Sequence, residues 1–197
     1  METTYTGHLV LLMAPSGSGK KSVFDSVLEK HKDIYYAKTV TSRAKRDGVE
    51  ENPQYTFISE NEFTDLIEND GLIEWANYSG NYYGTPKTEI LERLQEGKLV
   101  FKEMELQGVL QMKKVVPEEH CTIVYLDGGD WESLEKRIVA RAEISSEELA
   151  LRKMHYEEEQ KAMPAADVII KNHDGMLEQA QQHMEIVMQE ILNKVQS

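Results

Sequence analysis

The first apolar run of the chain, His8-Leu9-Val10-Leu11-Leu12-Met13, breaks abruptly into Ala14-Pro15-Ser16-Gly17-Ser18-Gly19-Lys20-Lys21-Ser22. No other stretch limits the fold so sharply. An apolar run with no polar alternation reads as a strand covered on both faces, the habit of parallel sheets. Gly17 and Gly19 allow a tight turn, and Lys20 to His31 carries a helical pattern. Strand, glycine turn and helix in this order leave backbone N–H groups pointing into a concavity, with the positive end of the helix behind them. Polyphosphate fits there, and Lys20 can reach its outer oxygens. Ala14 through Ser22 are therefore the expected phosphate contacts. Two positions are irregular: Ala14 stands where such loops begin with glycine, and Lys21 stands where a serine or threonine usually holds the magnesium of the nucleotide.

Further along, short apolar runs alternate with helical patterns, the rhythm of an α/β protein built on a parallel sheet flanked by helices. Strands are expected at Tyr35 to Val40, Lys98 to Met104, Cys121 to Leu126 and Asp167 to Lys171. Helices are expected from Thr85-Pro86 to Gly97, over Trp131 to Ala142, over Ser146 to Gln160 behind a Ser145/Glu148 capping box, and over Asp174 to Val195. The region from about Thr39 to Thr88 interrupts this rhythm with tyrosines, turns and the extended pieces Tyr55-Thr56-Phe57-Ile58 and Leu72 to Tyr78. Between those pieces Ser59 and Glu62 form a capping box for a helix ending near Gly71. The expected organisation is one domain: a core of residues 1–38, 86–130 and 161–197, a partly β insertion at 39–85, and a helical segment at about 131–160.

A formal charge of −13 argues against a nucleic-acid groove. Cys121 is the lone cysteine, which suggests a reducing compartment and reads as a buried apolar residue. The N-terminus has no basic segment before an apolar stretch, and no apolar run approaches about 18 residues, so the chain reads as a soluble cytoplasmic protein without a membrane partner. A monomer and a homodimer are both open. The acidic run Glu157-Glu158-Glu159 reads as a solvated helix face.

The insertion is the most specific region: Thr41-Ser42-Arg43-Ala44-Lys45-Arg46-Asp47-Gly48, then Tyr55-x-Phe57, Ile73-Glu74-Trp75-Ala76, and Ser79-Gly80-Asn81-Tyr82-Tyr83-Gly84-Thr85. In this order behind a phosphate loop, these stretches resemble the guanylate kinase family along nearly the whole chain. The resemblance implies phosphoryl transfer from ATP to GMP, with magnesium entering on the bound ATP. It implies that Arg43, Arg46, Tyr55 and Tyr83 hold the GMP phosphate, and that Thr39, Glu74, Thr85 and Glu105 contact guanine. The chemistry agrees. Guanidinium forks and hydroxyls suit a monophosphate, and a buried carboxylate such as Glu74 accepts from the N1–H and 2-amino donors of guanine, a pair adenine lacks.

Arg137 and Arg141, four apart on one helix, can address the same anion. By resemblance they and Arg152 are lid arginines closing over ATP and the migrating phosphoryl group, and Asn172 lies near the adenine. Glu103 and Glu105 stand where the family has two aspartates, and period-two spacing along Leu99 to Glu105 puts both on one face. The catalytic set is thus Lys20, Arg137, Arg141, Arg152 and Glu103, and no dedicated metal cage is expected. His173 takes the place of an aspartate in the family and reads as a surface residue.

The departures from the family are Lys21, Glu103, Glu105, Lys45 for proline and Val49 for glutamate, and most touch the donor and magnesium side. Lys21 can repel the ion, partly replace its charge, or swing to Glu103. Ser22 does not substitute for the missing hydroxyl, because the next helix position turns about 100° away. Three readings follow: an active guanylate kinase with altered magnesium use, a catalytically weak or inactive guanylate-kinase-like binding module, and a kinase for another nucleoside monophosphate.

Overall fold

The computed structural model describes residues 4–45, 54–78, 80–141 and 143–195. Its centre is His8–Met13 (β1), fully covered beyond its first residue. Five parallel strands lie in the order Tyr35–Tyr36 (β2), Leu99–Glu103 (β7), β1, Cys121–Asp127 (β8) and Val168–Lys171 (β9). Alternation along β1 serves two cores at once. Val10 and Leu12 pack with Val23, Phe24 and Val27 of Lys20–Lys30 (α1) and with Met184, Met188 and Ile191 of Leu177–Val195 (α7). Leu9, Leu11 and Met13 pack on the opposite face with Ile90 and Leu94 of the helical segment 88–95 (α3) and with Val109 and Met112 of Leu106–Met112 (α4). An apolar strand without polar alternation is what this sandwiched position requires.

A second sheet has the order Tyr55–Phe57 (β4), Thr39–Thr41 (β3), Asn81–Pro86 (β6) and Leu72–Tyr78 (β5). Its pairs are antiparallel except β3 with β4. Glu60–Glu68 (α2) begins at the expected capping box: the Ser59 hydroxyl accepts from Glu62 N–H and the Glu62 carboxylate accepts from Ser59 N–H. Phe63 of α2 stacks on Tyr82 of β6 at 5.2 Å and closes a small core with Val40 and Leu72.

The expected single strand Tyr35 to Val40 is two strands in two different sheets. Ala37 N–H still bonds to Phe101 in the parallel sheet, whereas Thr39 N–H bonds to Gln54, so the chain changes partner within three residues. Thr85 and Pro86 end β6 rather than start a helix. Pro86 pairs with Leu72 at the sheet end, and the helix begins later with a π turn, Thr88–Glu92. Helix α4 was not expected, and it places Glu105 at its N-cap instead of on β7. After Trp131–Arg141 (α5) comes Ser146–Ala162 (α6). The Ser145 hydroxyl caps α6, but the Glu148 carboxylate pairs with Arg152, so only half of that capping box forms. Among the described residues no helix is long and apolar enough to cross a membrane.

Candidate active site

The loop between β1 and α1 is shaped from outside. Gly17 and Gly19 have φ of 81° and 85°, and a Cβ on Gly19 would sit 2.4 Å from Asn172 Nδ2, so both conformation and space require glycine there. Asn172, almost fully buried beyond β9, donates from Nδ2 to the Ser18 carbonyl at 2.7 Å. Arg137 of α5 donates to the carbonyls of Asn172 at 3.1 Å and Gly17 at 3.4 Å. These contacts give the Gly17 and Ser18 carbonyls donors from β9's end and from α5. No side chain caps the start of α1, so its first N–H groups remain directed at the loop cavity, an arrangement suited to phosphate oxygens.

Lys20, the first residue of α1, brings Nζ to 3.7 Å from Glu103 Oε2 at the end of β7. Glu103 Oε1 also accepts from Gln54 Nε2 at 3.4 Å, which ties the second sheet to the phosphate loop through one carboxylate. Lys21 does something else. Its Nζ donates to Asp25 Oδ2 at 2.6 Å, one turn along α1, and the side chain is mostly exposed. Lys20, not Lys21, is the lysine at Glu103, and Ser22 is exposed on another side of the helix.

Beneath the second sheet, Thr85 donates its hydroxyl proton to Glu74 Oε1 across the β5–β6 pair, with Thr85 fully buried. Tyr55 and Tyr83 meet edge to face at 6.3 Å. The Arg43 guanidinium lies over the Phe57 ring at 5.4 Å, and among the described residues no carboxylate pairs with it. Burial raises the Tyr55 hydroxyl pKa above its ordinary value. Tyr83 and the carboxylates of Glu103 and Glu105 act in the same direction, while Arg43 opposes them. These groups are therefore near enough to act on one another although Glu105 has left the strand. Arg46 and Val49 lie outside the described residues.

The other arginines divide. Arg137 pairs with Asp174 at 2.6 Å in addition to its loop contacts, so it is a fixed brace of the loop. Arg152 of α6 donates to Ser16 Oγ at 3.0 Å and to Glu148 at 2.6 Å. Arg141 is exposed, and no partner holds it among the described residues. His173 sits against Asp127 Oδ2 at 3.0 Å and is partly exposed.

Two site residues escaped the reading of the sequence. Glu159 does not belong to a solvated face: Glu157 and Glu158 are exposed, but Glu159 turns inward. Burial raises its carboxyl to about 7 against the opposing pull of Lys20, with Glu105 adding to the rise. A helical spacing of seven from Arg152 could have placed both on one side of α6. Lys102, in the middle of β7, is 2% exposed. It donates to Thr39 Oγ1 at 2.9 Å and to the Ala37 carbonyl at 3.3 Å. Its charge directly after the apolar run Leu99-Val100-Phe101 was the available signal. Among the described residues no cluster of three or more metal-binding side chains exists.

The sequence comparisons agree with this layout. The family model described as guanylate kinase matches residues 6–191. The chain is 37% identical over 187 residues to a guanylate kinase of Trichormus variabilis, covering 95% of this chain and 92% of that protein. It is 38% identical over 166 residues to a guanylate kinase of Lactococcus lactis, covering 84% and 80% respectively. A solved guanylate kinase from Anaplasma phagocytophilum shares the fold, with a TM-score of 0.63 at 24% identity over 95% of this chain and 87% of that one. A match of this extent, over a phosphate loop and a second sheet joined through Glu103, means that the chain belongs to the guanylate kinase family.

Proposed function

We propose that this protein transfers the γ-phosphoryl group of ATP to GMP, giving ADP and GDP. The observation that carries this is the position of Glu103, which meets Lys20 of the phosphate loop on one side and Gln54, just before β4 of the second sheet, on the other. In this reading the loop from Ala14 to Ser22 cradles the ATP phosphates. Residues 39–85 form the GMP site and 131–160 the lid, leaving 1–38, 86–130 and 161–197 as the core. Glu74 accepts from N1–H and the 2-amino group of guanine, with Thr39, Thr85 and Glu105 around it, and Arg43, Arg46, Tyr55 and Tyr83 clamp the monophosphate.

A GMP phosphate oxygen attacks the γ-phosphorus in line, and the bond to the β–γ bridging oxygen breaks with its electron pair leaving on ADP. The nucleophile is already an anion, so no base is needed. Positioning and cations supply the rate. Lys20 and the lid arginines meet the charge that spreads over the transferring group, and closure of the lid keeps water from competing. Arg137 holds the loop; Arg141 and Arg152 are the arginines that engage the nucleotide. Asn172 acts through the Ser18 carbonyl, shaping the loop beside the adenine site.

Magnesium fits as an ion brought in by ATP. Glu103 is the carboxylate to hold it together with phosphate oxygens and water, since Lys21 offers no oxygen and is occupied by Asp25. Bound there, the ion would screen the phosphate charge during transfer. Glu103 acts by holding Lys20 and, when the ion is present, by sharing it.

Titration calorimetry with GMP and AMP tests the reading. GMP should bind at least about 100-fold more tightly than AMP, because adenine leaves Glu74 without donors. Equal binding would overturn the guanine assignment.

A further inference from the structure

Lys102 is the one lysine among the described residues that is both 2% exposed and without an ion-pair partner. The charges facing it are the carboxylates of Glu74 from β5, Glu89 from α3 and Glu103 from β7. An ammonium donates and never accepts. At 2.9 Å from Lys102 Nζ, the Thr39 oxygen must therefore be the acceptor, and its own proton must be spent elsewhere. Among the described residues no acceptor takes that proton.

Thr85 shows the opposite polarity. Its proton goes to Glu74 Oε1, which leaves the Thr85 oxygen as an acceptor. The two threonines sit near one another on adjacent strands, since Val40 pairs with Gly84 and Thr41 with Tyr83. The pocket thus offers a hydroxyl donor at Thr39 and acceptors at Thr85 and Glu74. A purine with an acceptor at position 6 and donors at positions 1 and 2 matches that pattern; a 6-amino group would have to use the single lone pair of Thr39 that Lys102 leaves open. Without a donor behind it the hydroxyl would have both lone pairs open to that amino group, so the strength of the discrimination depends on what lies behind Thr39.

We infer that Lys102 is a positioning residue for base selection: by filling one lone pair of the Thr39 hydroxyl it favours the rotamer that donates toward the base, and so biases the pocket toward an oxygen at purine position 6. This rests on the guanine reading proposed above. Lys102 touches neither phosphate nor base. It acts from beneath through one hydroxyl.

The test measures equilibrium binding of GMP, 6-thio-GMP and IMP to the full chain. The thio analogue keeps the N1–H and 2-amino donors and weakens only the acceptor at position 6, while IMP lacks only the 2-amino group. K102M is expected to weaken GMP about tenfold and 6-thio-GMP about twofold at most, with the GMP to IMP ratio unchanged within about twofold. T39V, a near-isosteric change that leaves Lys102 in place with the Ala37 carbonyl as its acceptor, should act alike, and the double variant should be no worse than either single one. Three results would overturn the inference. The GMP to 6-thio-GMP ratio could stay within about twofold of native in K102M; all three nucleotides could weaken equally, the mark of a merely structural lysine; or T39V could keep the ratio that K102M loses, which would put the ammonium on the base itself. If the native protein binds GMP no better than AMP, the guanine reading has failed before any variant is compared.

Discussion

Replacing Lys102 by methionine should make the folded protein more stable at neutral pH. Lys102 ordinarily keeps its proton up to about 10.5, and burial in β7 lowers that to about 8. Between these two values the unfolded chain binds more protons than the folded one, so stability rises with pH across that window. Below about pH 8 the cost of the buried charge is fully present, and at about 1.4 kcal/mol per pKa unit it amounts to about 3 kcal/mol. Methionine has a similar length and no charge, but it leaves the buried Ala37 carbonyl without its 3.3 Å donor, an offset of about 1 kcal/mol. The net gain is about 2 kcal/mol at pH 7, which for a chain of this size raises Tm by about 4–8 °C. Urea denaturation of native protein and K102M at pH 7 and pH 9.5 reads the difference directly, and the gain should shrink at the higher pH. A K102M protein less stable than native at pH 7, with no narrowing of the gap at pH 9.5, would refute the argument that Lys102 is a strained buried charge. A strained charge kept at this position is what a role in base selection would require.

Lys21→Ser should change stability by less than about 0.5 kcal/mol, since an exposed i,i+4 pair with Asp25 contributes little, and should raise magnesium-dependent turnover; lower turnover would make the lysine a working part of the site. Glu74→Gln should weaken GMP binding about 100-fold while barely altering AMP, read by calorimetry. The Glu159 carboxyl titrates at about 7 instead of 4.5, so in that window the folded protein binds more protons and loses stability as pH rises. Relative to Glu159→Gln, the native protein should lose about 2 kcal/mol between pH 4.5 and pH 8 in denaturant titrations, the full shift being discounted for partial exposure. Gly19→Ala should be strongly damaging to ATP binding, because its Cβ would collide with Asn172 at 2.4 Å and φ is positive.

The parallel sheet was legible because its strands are built on short apolar runs, uninterrupted in β1, that alternate with helical patterns. Local pattern did not reveal where strands change partner: Tyr35 to Val40 looks continuous, but Ala37 and Thr39 bond to different sheets, a tertiary choice. Strand β6 was hidden by Gly84 and Pro86, which read as punctuation but are tolerated at a close sheet contact and at a strand end. Motif and resemblance proposed the phosphate loop, Glu74, Tyr55 and Tyr83, and the fold sets Tyr55 against Tyr83 and Glu74 against Thr85. The destination of long flexible side chains was not. Lys21 reached Asp25 instead of Glu103, Arg137 became a brace on Asp174, and Glu159 turned in from an acidic run, each decided by contacts far apart in sequence or by competition among several nearby charges.

The most direct measurement of the central claim is a coupled assay of ADP formation from ATP and magnesium with GMP, AMP and UMP as acceptors. The account predicts saturable turnover with GMP, at least about 100-fold lower kcat/KM with AMP and UMP, and loss of nearly all activity in Lys20→Met. Absence of turnover with GMP across a range of magnesium concentrations, in protein that still binds GMP, would contradict it and identify a binding module built on a kinase fold.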